Sequence, residues 1–111
     1  MATPSTPTPA PVAEVVMYRT RHCGYCNRAA QLLRQKGVEL TEIDVSNNPE
    51  CRRWLLTATG MRTVPQIFIN GRSVRGFDDV AELDRKGALD RLLREPPKEP
   101  PSFPAFCRPG T

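Results

Sequence analysis

The spacing of apolar positions changes character several times between Val12 and Arg94. Residues 12–18 are largely apolar and rich in valine, which predicts a buried strand. Between Tyr25 and Lys36 apolar residues recur at helical intervals, so we predict an amphipathic helix that ends at Gly37. Residues 39–45 alternate between polar and apolar side chains, which is typical of a strand with one buried face.

A second helix and a third strand follow in the pattern. Asn48 and Pro49 indicate a helix start, because an asparagine side chain can cap backbone N–H groups and proline suits the first helical position. Gly60 is expected to end this helix. Residues 64–69 are again apolar and predict a strand.

The last part of this region predicts a hairpin and a helix. Asn70–Gly71 is typical of a two-residue hairpin turn, so residues 72–74 are expected to return antiparallel. Asp78 or Asp79 is expected to cap a final helix, with a break at Gly87. The predicted order is β-α-β-α-β-β-α, an α/β fold with a mixed sheet in which the first three strands run parallel.

Proline marks the two ends of this body. Ten of the 12 prolines lie within residues 1–11 or 95–111, and only Pro49 and Pro65 lie between those tails. Proline-rich segments favour extended, solvated chain and bury too little surface to order themselves. We therefore expect one domain at residues 12–94, flanked by two disordered tails.

The chain is mildly basic, with 16 Lys and Arg side chains against 12 Asp and Glu. Basic and acidic residues are interleaved along the body, so we expect no nucleic-acid partner. No apolar run approaches the length that crosses a bilayer, and the first residues do not resemble a signal peptide. We expect a cytoplasmic monomer without a membrane partner, in which four cysteines indicate redox or metal chemistry before a disulfide scaffold.

The motif Cys23-Gly24-Tyr25-Cys26 lies between the first predicted strand and the first predicted helix. A thiol at a helix N-terminus faces unpaired backbone N–H groups and the positive end of the helix dipole, and both favour the thiolate. Arg19 and Arg21 add positive charge on the same side. We therefore predict Cys23 as the catalytic nucleophile and the more buried Cys26 as the resolving thiol.

Other interpretations of the cysteines carry less weight. A structural zinc ion needs four ligands, and His22, Cys51 and Cys107 do not supply a second ligand pair. Cys51 lies on the apolar face of the second helix and is expected to be a small buried side chain. Cys107 lies in the C-terminal tail and is expected to be an exposed thiol, which a flexible tail could carry to Cys23 or to another chain.

Two further segments could border a substrate groove. Pro65 begins the third strand, and its peptide bond is either an ordinary trans bond or a cis bond that presents the Val64 backbone to a peptide substrate. Gly76 precedes the last helix, where the N–H groups of Phe77 and Asp78 could hold a carboxylate and the Asp78 side chain an ammonium group. The alternative for this second segment is a simple helix cap.

These motifs occur in an order and at intervals that resemble glutaredoxins, most of all the small bacterial dithiol type called glutaredoxin 3. The resemblance is carried by Tyr18, the Cys-Gly-Tyr-Cys motif, residues 63–69 (Thr-Val-Pro-Gln-Ile-Phe-Ile) and residues 76–79 (Gly-Phe-Asp-Asp), and it covers the body from Val12 to Leu93. It implies a thioredoxin-like fold, in which a four-stranded mixed sheet is flanked by helices on both faces. It also implies glutathione as the cosubstrate.

The resemblance further implies an enzyme, a glutathione-dependent thiol–disulfide oxidoreductase. Cys23 and Cys26 would reduce protein disulfides and glutathione mixed disulfides, so the partners would be glutathione and oxidised or glutathionylated proteins. The residues implied in glutathione binding would line one groove: Tyr25, Thr63, Val64, cis-Pro65, Gly76, Phe77 and Asp78.

Two departures from the family pattern concern the groove. The family often has a lysine at position 20 that holds the glycyl carboxylate of glutathione, and here Thr20 stands there. Arg19 or Arg21 would then take over that contact. Arg75 replaces the first glycine of a Gly-Gly pair and adds a positive charge near the groove.

A third departure concerns the motif itself, where Gly24 replaces the usual proline of Cys-Pro-Tyr-Cys. This change is expected to alter the redox poise. Relaxed versions of this position also occur among relatives that hold a glutathione-ligated [2Fe–2S] cluster, so an iron–sulfur dimer or carrier that uses Cys23 is the alternative function. A non-catalytic module that docks partners through its proline-rich tails is a further possibility.

Overall fold

The computed structural model describes residues 11–98 and 103–108. Four strands and four α-helices form the body, and a short 3-10 turn lies near the C-terminus. The strands are β1 (Val15–Arg19), β2 (Leu40–Asp44), β3 (Gln66–Ile69) and β4 (Arg72–Arg75). The helices are α1 (Gly24–Gln35), α2 (Pro49–Thr59), α3 (Phe77–Arg85) and α4 (Ala88–Leu93), and the 3-10 turn spans Ala105–Cys107. Within the described residues, no helix combines the length and apolar character that crossing a bilayer requires.

The strands form one mixed sheet in the order β2-β1-β3-β4. β1 pairs with β2 in parallel and with β3 antiparallel, and β3 and β4 form the predicted antiparallel hairpin. β1 begins at Val15 instead of Val12, because the N–H groups of Val12 and Ala13 both donate to the carbonyl oxygen of Leu93, the last residue of α4. The mixed four-stranded sheet is confirmed.

The direction of β3 differs from the prediction of three parallel strands. β3 runs against β1, although α2 connects it to β2. A helix between two strands is compatible with either direction, because the direction depends on how the loop after the helix turns the chain. The periodicity of residues 60–65 contains no information about that turn.

Alternate residues of the central strands face two separate cores. Val15 and Met17 of β1 pack into the core under α1, α3 and α4. Val16 and Tyr18, which alternate with them along the strand, pack into the core under α2. Helices therefore cover both faces of the sheet, and the end of β1 leads directly into the loop that carries Cys23.

The C-terminal tail differs in part from the prediction of disorder. Residues 103–108 pack on the core under α2, where Phe103 and Cys107 are buried. Disorder was expected because the tail has no periodic pattern of apolar residues. The Phe103 ring and the Cys51–Cys107 disulfide hold this short segment without such a pattern. Pro11 belongs to the described residues, whereas the remainder of the predicted N-terminal tail lies outside them.

Candidate active site

Cys23 occupies the N-cap position of α1, in extended backbone conformation. Its sulfur accepts a hydrogen bond from the Cys26 N–H, with an Sγ–N distance of 3.2 Å. The first turn of α1 contains no acidic residue. The predicted nucleophile is partly exposed and faces the N–H groups at the positive end of a helix.

Cys26 lies one turn further along α1 and is completely buried in the core beneath it. Burial, together with a hydrogen bond to Cys23, raises the pKa of the Cys26 thiol to about 12, and a Thr20 backbone hydrogen bond acts in the opposite direction. At neutral pH Cys26 is consequently a protonated thiol. The two cysteines of the motif therefore differ in exposure, with Cys23 partly exposed and Cys26 buried.

The arginine that ends β1 is held firmly beside α1. Its guanidinium donates to Glu42 Oε1 and to Asn27 Oδ1, each at 2.8 Å, and to the Thr20 carbonyl oxygen at 3.1 Å. The hydrogen bond to Glu42 is the largest cause of the raised pKa of Arg19. Arg21 and His22 follow in the exposed loop. Of the two predicted arginines, Arg21 is the one with an exposed side chain.

The loop before β3 lies against the cysteine motif. The Cys23 thiol points at the Val64 carbonyl oxygen, at an Sγ–O distance of 3.9 Å. The Val64–Pro65 peptide bond is cis, the form that the resemblance implies. Thr63 is exposed, Val64 is half-buried and Pro65 is buried. This loop therefore presents backbone atoms next to the sulfur of Cys23.

Gln66 holds this loop in place, a role that the apolar pattern of its strand does not indicate. Its side chain is 2% exposed. The amide nitrogen donates to the carbonyl oxygens of Met61 (2.9 Å) and Thr63 (3.1 Å), and the amide oxygen accepts from the Thr59 hydroxyl (2.9 Å). The sequence contains one sign of this role, a polar residue at the start of an apolar strand. A buried amide must find hydrogen-bond partners, and the neighbouring loop supplies them.

The start of α3 borders the same loop. Gly76 is the N-cap, and its N–H donates to Asp79 Oδ2 at 3.1 Å, so the prediction that Asp78 or Asp79 would be the N-cap is wrong by two or three positions. A Cβ atom at Gly76 would come within 3.4 Å of the Pro65 carbonyl oxygen. Phe77 and Asp78 are the first two helical residues, and the Asp78 side chain is exposed.

Aromatic side chains connect the first turns of α1 and α3. Tyr25 is 58% exposed, and its ring centroid lies 6.2 Å from that of Phe77. The Arg28 guanidinium lies over the Tyr25 ring at 5.7 Å. The cysteine motif, the Val64–Pro65 loop and the start of α3 are therefore neighbours, although they are far apart in the sequence.

Arg75 adopts a backbone conformation that normally favours glycine. Its φ angle is 72°, in the left-handed region, and its N–H donates to Ser73 Oγ at 3.3 Å. Its guanidinium nitrogen lies 3.9 Å from Asp79 Oδ2. Arg75 therefore directs a charged side chain toward the first turn of α3 at the expense of backbone strain.

The remaining cysteines lie outside this site. Cys51 and Cys107 form a disulfide between α2 and the 3-10 turn. The prediction of an exposed Cys107 is wrong, because this residue is fully buried, and the prediction for Cys51 is correct in its burial but missed its bond. Their pairing removes both cysteines from any shared ligand set with Cys23. Within residues 11–98 and 103–108, no three His, Cys, Asp or Glu side chains gather as a metal site would require.

Comparison with known proteins agrees with this geometry. The glutaredoxin family model matches residues 15–74. The chain belongs to the glutaredoxin family. It is 49% identical over 79 residues to a glutaredoxin of Pseudomonas aeruginosa, a match that covers 71% of this chain and 94% of the relative. It is 41% identical over 83 residues to glutaredoxin 3 of Escherichia coli strain K12, covering 75% and 100% respectively.

Solved structures support the same assignment. The fold superimposes on a crystal structure of a buckwheat glutaredoxin–glutathione complex with a TM-score of 0.70 and 34% sequence identity, covering 73% of this chain and 76% of the other. The thioredoxin-like fold is thereby confirmed. Membership of the glutaredoxin family and this fold make the chain a thiol–disulfide oxidoreductase.

Proposed function

We propose that this oxidoreductase depends on glutathione and reduces glutathione mixed disulfides and protein disulfides. The observation that carries the proposal is the placement of Cys23, whose partly exposed sulfur caps α1 and lies 3.9 Å from the Val64 carbonyl oxygen. A substrate sulfur that approaches Cys23 therefore meets the backbone of the loop before β3 at the same time.

The first step is attack of the Cys23 thiolate on a substrate disulfide. The substrate S–S bond breaks, a mixed disulfide forms on Cys23, and the departing thiolate takes a proton from solvent. When the substrate is a glutathionylated protein, the group left on Cys23 is glutathione. A second glutathione thiolate then attacks the sulfur of the bound glutathione, so that Cys23 leaves as a thiolate and oxidised glutathione is released.

Protein disulfides require the second cysteine. The Cys26 sulfur attacks Cys23 in the mixed disulfide, loses its proton, and releases the reduced protein while the Cys23–Cys26 disulfide forms. Because burial raises the pKa of Cys26 to about 12, this attack must be accompanied by proton loss. Glutathione mixed disulfides can bypass that step, so we expect their reduction to proceed without Cys26.

We propose that the groove around Cys23 would hold each part of glutathione. Backbone groups of Thr63 and Val64 would pair with the cysteinyl residue, and Tyr25 would form one wall. The start of α3, with Gly76, Phe77 and Asp78, would bind the γ-glutamyl end, because helix N–H groups suit a carboxylate and Asp78 suits an ammonium group.

For the glycyl carboxylate we favour Arg21 over Arg19. The Arg19 guanidinium already donates to Glu42, Asn27 and Thr20, whereas the Arg21 side chain is exposed.

We further propose that the protein is a cytoplasmic monomer, because glutathione keeps thiols reduced in that compartment. Its partners would be oxidised or glutathionylated proteins, and neither nucleic acid nor a membrane. No observation in the structure favours the [2Fe–2S] alternative over this role.

The proposal is tested by following reduction of a small glutathione mixed disulfide with glutathione and glutathione reductase, and in parallel with thioredoxin reductase alone. We expect turnover only in the first assay. Cys23→Ser should abolish it, whereas Cys26→Ser should retain it and lose only the reduction of a protein disulfide. Turnover driven equally well by thioredoxin reductase would contradict the proposed glutathione dependence.

Asp78→Asn tests the γ-glutamyl site. Loss of one charged hydrogen bond is expected to raise KM for the glutathione mixed disulfide about tenfold, with kcat little changed. Asp90→Asn is the matched control, since Asp90 is also an exposed acid in the first turn of a helix but lies on α4. An equal KM effect of the two substitutions would remove Asp78 from the site.

A further inference from the structure

A short C-terminal segment covers the face of the sheet that carries α2. We call residues 103–108 the C-terminal strap. The disulfide between Cys51, in the first turn of α2, and Cys107 anchors the strap across 56 positions of sequence. Three helices, α1, α3 and α4, cover the other face of the sheet. Among the described residues, α2 is the single helix on this face, and the strap adds to its cover.

Phe103 is the main apolar contact of the strap. Its ring lies edge-on to the rings of Phe68, Tyr18 and Trp54, at centroid distances of 5.2, 5.9 and 5.9 Å. Phe103 is 3% exposed and closes the aromatic cluster that these three residues form. Removing the strap would therefore open that cluster to solvent.

Polar contacts between the strap and the body are few. Within the described residues, the Tyr18 hydroxyl donates to the Cys107 carbonyl oxygen (2.6 Å), and Asn48 Nδ2 donates to the Phe106 carbonyl oxygen (2.8 Å). Asn48 is also the N-cap of α2, where its Oδ1 accepts from the Cys51 N–H. One asparagine amide thus joins the strap, the helix start and the disulfide.

The two cysteine pairs of the chain differ in accessibility. Cys23 is partly exposed, whereas Cys51 and Cys107 are both fully buried. A thiol reductant can therefore reach Cys51 or Cys107 only when the strap lifts. Once the disulfide is broken, one buried ring and two hydrogen bonds must offset the conformational entropy of ordering the strap. Without the disulfide, no covalent bond to α2 limits how far the strap can move.

We propose that Cys51 and Cys107 form a second redox couple that latches the strap, separate from the Cys23–Cys26 pair. In the oxidised state the strap is closed over the aromatic cluster. In reduction by a dithiol, the Cys51–Cys107 S–S bond breaks, two thiols form, and the two electrons and two protons come from the dithiol, which becomes a disulfide. The strap is then released, and the aromatic face beside α2 is exposed.

Trp54 is the one tryptophan of the chain and lies in the aromatic cluster, so it reports the state of the strap. The measurement is acrylamide quenching of Trp54 fluorescence in the full chain, before and after treatment with dithiothreitol, with thiol labelling to follow each cysteine. On reduction of Cys51 and Cys107 we expect the quenching constant to rise about two-fold, because Trp54 loses a buried neighbour through local opening. Far-ultraviolet circular dichroism should stay unchanged.

Two variants separate this couple from the active-site pair. Cys26→Ser cannot form the active-site disulfide and should show the same rise as the unmodified chain. Cys107→Ser should be quenched strongly from the outset and should not respond to dithiothreitol. The comparison of oxidised and reduced unmodified chain does not depend on the folding of either variant.

Three results would overturn the proposal. The first is labelling of Cys51 and Cys107 with no change in Trp54 quenching, which would show that the strap stays closed without its disulfide. The second is loss of helical signal on reduction, which would make the disulfide part of the global fold. The third is failure of dithiothreitol to reduce this pair in the folded chain.

Discussion

Replacement of the buried glutamine that supports the active-site loop gives a sharp test of how the site is held. Gln66→Leu keeps the approximate volume of the side chain but removes its three hydrogen bonds, two to the carbonyl oxygens of Met61 and Thr63 and one from Thr59. A typical intramolecular hydrogen bond contributes about 1 kcal/mol net, and a buried group left without a partner costs somewhat more. Because Thr63 is exposed, water can replace part of the loss.

We therefore expect Gln66→Leu to lower the free energy of unfolding by about 2 kcal/mol. With a urea m-value of roughly 1–3 kcal/mol/M for a small domain, the unfolding midpoint should fall by about 1 M. The same substitution should raise KM for a glutathione mixed disulfide more than it lowers kcat, because the Thr63–Val64 backbone would lose its support while Cys23 stays in place. Both quantities are measured on one preparation, by urea unfolding and by steady-state kinetics.

Gln31→Leu is the matched control, because Gln31 is exposed on α1. A surface substitution of this kind should change stability by less than about 0.5 kcal/mol. If Gln66→Leu also stayed within that range and left KM unchanged, the loop would not depend on the buried Gln66 amide for its support.

Three further substitutions or conditions test the local physics of the site. Arg75→Gly should stabilise the chain by about 1 kcal/mol in urea unfolding, because glycine adopts the left-handed backbone of this position without strain. Arg72→Gly, in the same strand, should destabilise the chain. Destabilisation by both substitutions would contradict the inference that Arg75 is strained. Gly24→Pro should raise the free energy of unfolding by about 0.5–1 kcal/mol, because proline suits the first residue of a helix and a Cβ at Gly24 would meet nothing within 4 Å. A lower free energy of unfolding in the same assay would show that the proline ring clashes with the site. The reduced chain should lose stability as pH rises from about 9 to about 12, because the unfolded Cys26 thiol ionises from about pH 9 while the folded one stays protonated until about 12. Burial also raises the pKa of the Tyr18 hydroxyl, which adds to this loss. Cys26→Ser should therefore make the fall in unfolding midpoint shallower without abolishing it, and an unchanged slope would argue against the role of Cys26.

Much of the fold follows from local pattern. Helical spacing gave α1 and its buried face, and Asn48 with Pro49 gave the start of α2. The Asn-Gly turn gave the β3–β4 hairpin. The antiparallel direction of β3 could not be predicted in the same way, because it depends on how a six-residue loop turns.

Parts of the candidate site could be predicted where a reactive side chain lies at a recognisable position of the chain. A thiol at a helix start is visible in the sequence, and so is the second thiol one turn further along α1. The support that Gln66 gives to the loop and the tethering of Arg19 to Glu42 depend on which side chains meet in three dimensions. The Cys51–Cys107 bond was missed for the same reason, since spacing alone does not determine which cysteines pair.

The proposed function depends on Cys23 as the nucleophile that exchanges with glutathione. It is tested most directly by incubating Cys26→Ser with oxidised glutathione and locating the adduct by peptide mass spectrometry without prior reduction. We expect a single glutathione on Cys23 and none on Cys51 and Cys107, which are buried and bonded to each other. An adduct confined to another cysteine, or no adduct on a folded chain, would contradict it.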